Sequence, residues 1–188
     1  KILNIINEYR NKSCLIAANA FRIRELENGE LYGLDQCIEV AENAKFDNYS
    51  LHIVFVIGTI KDEDKPYLEF FQQQIENKNI ESHITIYPSS LSFIKLINEV
   101  DIVLRPTLTD GDALTIREAL YMNTDVLASK VVKRPKFTTL YETANVDDLF
   151  LKIKELSVDK NNNQLLQFKI KKKNYQSIYT KLYNVCNN

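Results

Sequence analysis

The sequence predicts an α/β fold: a doubly wound parallel sheet of about six strands with helices on both faces, and a long helix at the C-terminal end. Three observations predict it. Short apolar runs alternate with segments of helical periodicity along the chain, and several of these runs are continuously apolar, as strands covered on both faces are. At 188 residues, 45% of them hydrophobic and 26% charged, the chain has the length and composition of one globular domain.

The first half of the chain alternates between helices and three strands. Its predicted elements, in order, are helix 2–9, strand 13–18, polar loop 19–33, helix 34–45, strand 51–58, helix 66–77 and strand 83–87. Both early strands are continuous apolar runs, and the second ends in a glycine turn at Gly58. Helix 34–45 is predicted by apolar residues at three- and four-residue steps. Pro66 suits a first helical turn, and Pro88 stops the third strand.

The second half continues the same alternation. Its predicted elements are helix 90–98, strand 101–104, helix 112–122, strand 125–129, a short strand 138–141, a helix that begins at residue 146, a polar linker 159–163 and an amphipathic helix 164–184. Ser90 is a suitable N-cap for the first of these helices. Asp147 and Asp148 suit the first turn of the helix that begins at Val146, because the helix dipole favours negative charge there.

The candidate site lies in the strand, turn and helix of residues 101–120. The strand delivers its carboxyl end to a polar loop, and the next helix opens with unpaired backbone N–H groups that face the same crevice. Gly111 allows either a close approach of the backbone or a positive φ. Glu118 lies about two helical turns beyond the loop, near the face of the helix opening. A phosphate at the helix start and a carboxylate that accepts sugar hydroxyl protons together indicate a nucleotide site.

The segment from Asp110 to Glu118 resembles the signature of the retaining glycosyltransferases of family 4, also called group 1. In that family an acidic residue, a glycine-rich turn and a glutamate eight positions later form the donor-sugar site. Asp110 stands where the family usually has glutamate, and Asp112 and Ala113 replace its phenylalanine and second glycine. This Asp-Gly-Asp-Ala variant resembles a subset of bacterial polysaccharide-assembly transferases.

The resemblance implies roles for individual residues. Asp110 and Glu118 are the predicted catalytic pair: Asp110 contacts the donor-sugar hydroxyls, and Glu118 binds the ribose diol. Backbone N–H groups of Gly111, Asp112 and Ala113 bind the phosphates, and Leu114 is a further predicted donor-binding residue. The remaining predicted donor-binding residues are Arg22, Arg24, Tyr87 and Arg105.

Several of these residues also have simpler interpretations. In the family, the loop after the first strand carries an arginine and a lysine; Tyr32 occupies the lysine's place, and either Arg22 or Arg24 is the arginine, unless both are solvated. Tyr87 lies where related enzymes hold the base through backbone groups, or it merely ends a strand. Arg105, which directly precedes Pro106 at a strand end, points into the crevice or only bridges to a loop acid, and Arg134 is a further, weaker candidate.

The order of elements resembles the C-terminal half of a GT-B transferase, a Rossmann-like doubly wound domain, over nearly the whole chain. The resemblance implies that an N-terminal acceptor-binding domain is missing, and helix 164–184 resembles the helix that crosses back to it. The chain starts at Lys1 without a methionine, so we expect it to be cut from a longer protein. Such a fragment should bind nucleotide weakly and catalyse essentially nothing alone.

Composition and sequence motifs limit the classes of ligand that we expect the chain to bind. A net charge of −1 supplies no field for nucleic acid, so we expect none as a partner. His52 and His83 lack metal-ligand spacing, and no phosphate loop or nucleophile elbow is present, so we expect no metal or cofactor. The expected ligand is a nucleotide sugar.

The cysteines and the charge pattern indicate the cellular setting. Cys14, Cys37 and Cys186 are odd in number and lack paired spacing, which favours reduced thiols and a cytoplasmic location. No apolar run reaches the ~18 residues that a membrane span needs. The basic run 169–173 is either a solvated helix face or a peripheral contact with the inner face of the membrane.

The resemblance implies retaining transfer of a hexosyl unit from a nucleoside diphosphate sugar to a glycan or lipid-linked acceptor, in polysaccharide biosynthesis. Two alternatives stay open. A sugar-nucleotide epimerase would share the donor crevice but would need acid and base groups and a histidine facing the sugar. A non-catalytic doubly wound interaction module would need no ligand.

Overall fold

The computed structural model describes residues 2–88, 93–111 and 113–163, and for residues 159–163 only the backbone. Within these ranges the strands are β1 Cys14–Ala20, β2 Glu25–Leu26, β3 Gly29–Glu30, β4 Leu51–Ile57, β5 Ile84–Pro88, β6 Ile102–Arg105, β7 Asp125–Ser129 and β8 Thr139–Tyr141. The helices are α1 Ile2–Tyr9, α2 Leu34–Phe46, α3 Lys65–Lys78, α4 Ile94–Ile97, α5 Leu114–Tyr121 and α6 Val146–Asn163, and a 3₁₀ turn at Asp62–Asp64 precedes α3.

The main sheet confirms the predicted fold class. Its strands run in the order β5-β4-β1-β6-β7-β8, and every neighbouring pair is parallel. The chain builds outward from β1 through β4 and β5, then returns to place β6 on the other side of β1. Open α/β sheets bind ligands at such a reversal, outside the carboxyl ends of the strands. The expected position of a site is therefore the crevice beyond Ala20 and Arg105.

Two apolar layers cover the sheet. Ile16 and Ala18 of β1 face one layer, with α2, α3 and α6, whereas Leu15 and Ala17 face the other, with α1, α4 and α5. All seven residues of β4 are buried, which explains why its sequence is apolar throughout instead of alternating. The sheet is a rigid platform from which the strand ends project.

Two predicted connections are wrong. The supposed polar loop 19–33 contains the end of β1 and the antiparallel hairpin β2–β3, which buried polar side chains hold in place and which no apolar pattern marks. The supposed linker 159–163 is the last part of α6. Those residues include no glycine or proline, and extending an existing helix is far easier than starting one.

Several predictions fall outside the described residues. These are the terminal helix 164–184, the basic run 169–173, Cys186, Asp112 and the start of helix 90–98, of which α4 is the described part. Among the helices that the structure describes, none is both long and apolar enough to cross a bilayer.

Gly33 joins the hairpin region to the loop that follows β6. It begins α2 with φ of 75°, and a Cβ at this position would lie 2.2 Å from the Pro106 carbonyl oxygen. Only glycine permits both the positive φ and this close approach. The Gln36 side-chain amide also donates to the Pro106 carbonyl at 2.9 Å, so α2 fixes the backbone directly after Arg105.

Candidate functional site

A cleft of about 310 Å³ opens at the carboxyl ends of β1, β4 and β6. The residues that contribute polar or backbone groups to its wall are Asn19, Gly58, Arg105, Ala113, Leu114 and Thr115. Ala113 is the N-cap of α5 and supplies no side-chain cap. Ala113, Leu114 and Thr115 line the cleft, so α5 begins at it, and no side chain among the described residues caps its first N–H groups, which suits an anion.

Two arginines share one carboxylate beside this cleft. The Arg105 guanidinium donates through Nε to Oδ2 of Asp110 and through Nη2 to Oδ1, both at 3.1 Å. Arg134 donates through Nη1 to Oδ2 of Asp110 at 2.7 Å. The Gly111 N–H also donates to Oδ1, at 2.9 Å. Asp110 thus organises the loop between β6 and α5.

This cluster carries excess positive charge in a nearly dry environment. The side chains of Arg134, Asp110 and Arg105 are only 2%, 8% and 12% exposed. Burial alone would raise the pKa of Asp110, but the hydrogen bonds and charges of the two arginines hold that pKa below its usual value. Within the part of the chain that the structure describes, two guanidinium groups meet one carboxylate here. A buried unpaired charge is costly, so the cluster favours a bound anion.

Strand-end hydroxyl groups fix the second arginine. Arg134 donates through Nε to the Ser129 carbonyl at 3.1 Å and through Nη2 to the Thr107 hydroxyl at 3.3 Å. The Ser129 hydroxyl donates to the Thr107 carbonyl at 2.7 Å. These bonds tie the end of β7 to the loop after β6. Arg134 therefore holds Asp110 in place and does not itself line the cleft.

Arg105 is the arginine that faces the cleft. Its Nη1 donates to the Asn19 carbonyl at 3.3 Å, and its guanidinium lies 5.2 Å from the centroid of the Tyr32 ring. The Tyr32 ring, at the place of the family's lysine, therefore supports a cation instead of supplying one. Oδ1 of Asn19 is buried and has no partner among the described residues. A ligand in the cleft would meet the Arg105 guanidinium and the Tyr32 ring.

The structure places the other predicted residues of this segment as follows. Gly111 is exposed, its φ is not positive, and a Cβ would meet no atom within 4 Å. The positive-φ interpretation is therefore wrong, while the close backbone approach stays a prediction. Leu114 lines the cleft and is 66% exposed. Glu118 is half-buried, four residues beyond Leu114 and so on the same helix face; its contact with a ribose stays a prediction.

Arg22 and Arg24 lie apart from the cleft. Arg22 donates through Nε to both carboxylate oxygens of Asp64 at 2.7 Å and through Nη2 to Glu63. The hydrogen bonds that Arg22 donates to Asp64 and Glu63 raise the pKa of Arg22. Arg24 is exposed, and both arginines line a separate cavity on the other side of Tyr32. A diphosphate contact by either arginine stays a prediction, whereas Arg105 already lies in the cleft wall.

Tyr87 occupies the predicted strand end. It pairs with Val56 in the sheet and is half-buried at the carboxyl edge. Val56 itself lines the cleft, so the backbone of β5 is one strand away from it. A contact between Tyr87 and a base stays a prediction.

Glu30 holds the hairpin region together. Its carboxylate is fully buried and accepts N–H bonds from Arg24 at 2.9 Å, Tyr32 at 2.9 Å and Leu34 at 3.1 Å. Burial raises the pKa of Glu30 to about 7, although these N–H bonds act in the opposite direction. The backbone segment that places Tyr32 at the cleft is therefore held by the buried carboxyl group of Glu30.

This pKa predicts how stability changes with pH. A carboxyl whose pKa is higher in the folded than in the unfolded state makes the fold most stable below pH 4.5, and that contribution is lost as pH rises to about 7. The full effect is about 3 kcal/mol. In urea denaturation at a series of pH values, Glu30→Gln should remove this slope. Glu27→Gln, at an exposed position of the same hairpin, should keep it. Parallel profiles for wild type and Glu30→Gln would contradict the assignment.

Three polar residues of the site escaped the sequence analysis: Asn19, Thr107 and Ser129. Each lies at or directly after the carboxyl end of a strand of the main sheet. Their position at strand ends could have identified them, because the carboxyl ends of parallel strands meet at one edge of the sheet. Their roles depend on which strands are neighbours, and a single sequence does not specify that.

Outside the cleft, the described residues offer few groups for metal binding or catalysis. Over residues 2–88, 93–111 and 113–163, no three side chains of the metal-binding types converge. His52 stacks on Tyr9, with ring centroids 3.6 Å apart, and contacts the Ser82 carbonyl and the Thr85 hydroxyl. This histidine therefore has a structural role within the sheet. Neither Cys14 nor Cys37 forms a disulfide within the described residues, and burial raises the pKa of Cys37 well above its usual value.

Comparison with known proteins identifies the fold. No protein-family profile and no curated protein sequence matches the chain. Solved glycosyltransferase structures do match it. HepE from Anabaena, in a complex with UDP, has a TM-score of 0.72 at 16% identity over 96% of this chain and 47% of its own. A glycosyltransferase from Rickettsia africae has a TM-score of 0.70 at 15% identity over 97% of this chain and 46% of its own.

A third matching structure is an isolated domain. The C-terminal domain of LpcC, a group 1 glycosyltransferase from Francisella tularensis, has a TM-score of 0.66 at 20% identity over 94% of this chain and 89% of its own. The chain therefore spans about half the length of the two larger structures and nearly all of an isolated C-terminal domain. Identities of this size establish the shared fold.

Proposed function

We propose that this chain, which has the fold of the C-terminal domain of a GT-B glycosyltransferase, binds a nucleoside diphosphate sugar as the donor half of a retaining hexosyltransferase. One observation carries the proposal: Arg105 and Arg134 share the carboxylate of Asp110 beside the start of α5, which no described side chain caps. An excess cation and the N–H groups of a helix start in one crevice are what a diphosphate requires.

The proposed chemistry is stabilisation of a departing diphosphate. The Arg105 guanidinium and the N–H groups at the start of α5 would bind the charge that develops on the phosphate oxygens, and they act without a metal ion. Asp110 and Arg134 would hold Arg105 in place, and Asp110 would reach a donor-sugar hydroxyl only by giving up part of this network. Glu118 would accept protons from the ribose diol.

Transfer of the sugar to an acceptor would require a second domain. Since the chain matches about half of the full-length structures, the acceptor and the closed cleft would come from the other half. We propose transfer to a glycan or lipid-linked acceptor in polysaccharide biosynthesis, in the cytoplasm or at the inner face of the membrane. The fragment alone should bind its nucleotide and show essentially no turnover.

A thermal scan tests the binding step. Because a ligand of the native state raises the apparent stability, UDP or GDP should raise Tm in proportion to the logarithm of its concentration. Uridine or guanosine, which lack the diphosphate, should raise it much less. No shift with any nucleoside diphosphate would contradict the proposal and favour a non-catalytic interaction module. An epimerase gains no support, because His52 lies inside β4 and His83 at the amino end of β5, both remote from the cleft.

A further inference from the structure

A second cavity of about 620 Å³ adjoins the cleft. Its walls come from residues 21–25 and 31–32, which enter and leave the hairpin β2–β3, from the 3₁₀ turn and from the first turn of α3. Phe21 and Tyr32 line both cavities, so the two spaces meet at these rings. Phe21 is 72% exposed, although it is a large apolar residue. A ligand that extends beyond the cleft on this side would enter the second cavity.

The charges of this cavity differ from those of the cleft. Two cations and three carboxylates line it, a formal balance of −1, and these residues are Arg22, Arg24, Glu25, Glu63 and Asp64. Arg22 is already neutralised by Asp64 and Glu63. An anion is therefore not favoured here, unlike beside Arg105. Carboxylates and guanidinium groups set around one space instead offer acceptors and donors together, which suits the hydroxyl groups of a neutral polyol.

Aromatic rings complete this wall. Tyr67 is half-buried at the start of α3, and its ring packs against that of Phe71 with the centroids 4.7 Å apart. Burial, together with the charge of Glu25 and other nearby carboxylates, raises the pKa of Tyr67 to about 12, so its hydroxyl keeps the proton and can donate. Such a ring offers an apolar body and a polar tip. A pyranose, with apolar C–H faces and a rim of hydroxyl groups, matches that surface.

We propose that this second cavity binds a neutral sugar ring, with Tyr67 against its apolar face and Arg24 and Glu25 hydrogen-bonded to its hydroxyl groups. Its identity as the terminal sugar of the acceptor rests on the proposed function, because the cavity adjoins the cleft in which the donor would bind. The acceptor would then contact this half of the enzyme as well as the missing half. The hairpin β2–β3, which buried Glu30 holds in place, would form part of the acceptor site.

Two-dimensional amide NMR of the whole chain tests this proposal. The probes are methyl glucoside, methyl galactoside and methyl mannoside, with glucuronic acid as the charged comparison and UDP in a separate titration. At least one neutral glycoside should cause saturable shifts in residues 21–32 and 63–67, and glucuronic acid should bind more weakly. UDP should instead shift residues 19, 58, 105 and 113–115.

Matched variants separate the side-chain roles. Tyr67→Ala and Arg24→Ala should each weaken binding of the neutral glycoside about tenfold, the loss of roughly 1.4 kcal/mol. Glu27→Ala, in the same hairpin but outside the cavity wall, should leave binding unchanged. A melting curve shows that each variant is folded, and Arg24 is exposed enough to be replaced safely.

The titrations give separable outcomes. No saturable shift from any of the three neutral glycosides overturns the sugar subsite, whatever UDP does. Shifts that persist unchanged in both Tyr67→Ala and Arg24→Ala also overturn it. Binding of UDP without any neutral glycoside leaves the proposed function standing and rejects the subsite. Glycoside binding without UDP rejects the donor proposal and retains the subsite.

Discussion

Replacing Asp110 by asparagine should lower the free energy of unfolding by about 3–5 kcal/mol, because it leaves two buried guanidinium groups without a counter-charge. Arg134 is 2% exposed and cannot turn toward solvent without breaking its bonds to Ser129 and Thr107. An asparagine side chain is nearly the same size as the aspartate that it replaces, so the loss reports charge rather than volume. Urea denaturation at neutral pH measures it.

An exposed ion pair provides the control for this experiment. Glu142 pairs with Lys130, and both side chains are largely exposed. Glu142→Gln should therefore change the free energy of unfolding by less than about 1 kcal/mol. If Asp110→Asn is as mild as Glu142→Gln, then the cluster does not carry the uncompensated charge on which the donor site is argued.

Replacing Arg105 by glutamine should weaken UDP binding about a hundredfold, since hydrogen bonds to charged groups contribute about 1.5–3 kcal/mol. Asp110 would still pair with Arg134 in this variant, so the fold should persist. Arg105→Lys should restore only part of the affinity, because an ammonium group lacks the planar fork that binds two phosphate oxygens. Isothermal titration calorimetry measures each affinity.

Arg24→Gln is the matched comparison for Arg105→Gln. Both changes remove one guanidinium, but Arg24 lines the neighbouring cavity and Arg105 lines the cleft. We expect Arg24→Gln to retain nearly wild-type affinity for UDP. A loss as large as that of Arg105→Gln would instead place the diphosphate against the loop after β1, where the family resemblance puts its arginine.

The fold class followed from local patterns, and so did the expectation that a site lies at the strand ends. Buried runs such as 51–57 are apolar because both faces of the strand are covered, and this requirement is visible in any single strand. The glycine turn and helix start after β6 likewise mark a crevice whatever the neighbouring strands are. Strand-end placement then brings Arg105 and the start of α5 together.

The polar contacts between distant segments did not follow from local patterns. Arg134 reaches Asp110 across 24 positions, and Arg22 is held by Asp64 across 42. The hairpin β2–β3 depends on the carboxylates of Glu30 and Asp35, which no periodicity distinguishes from solvated side chains. Such partners are chosen by strand order and loop path, so their identification needs the three-dimensional structure.

A crystal structure of the chain with UDP would locate the bound diphosphate. We expect it within hydrogen-bond distance of the Arg105 guanidinium and of an N–H group at the start of α5, with the Glu118 carboxylate at the ribose. A diphosphate bound elsewhere, with the cleft between Asn19 and Leu114 empty and Arg105 paired only with Asp110, would contradict it.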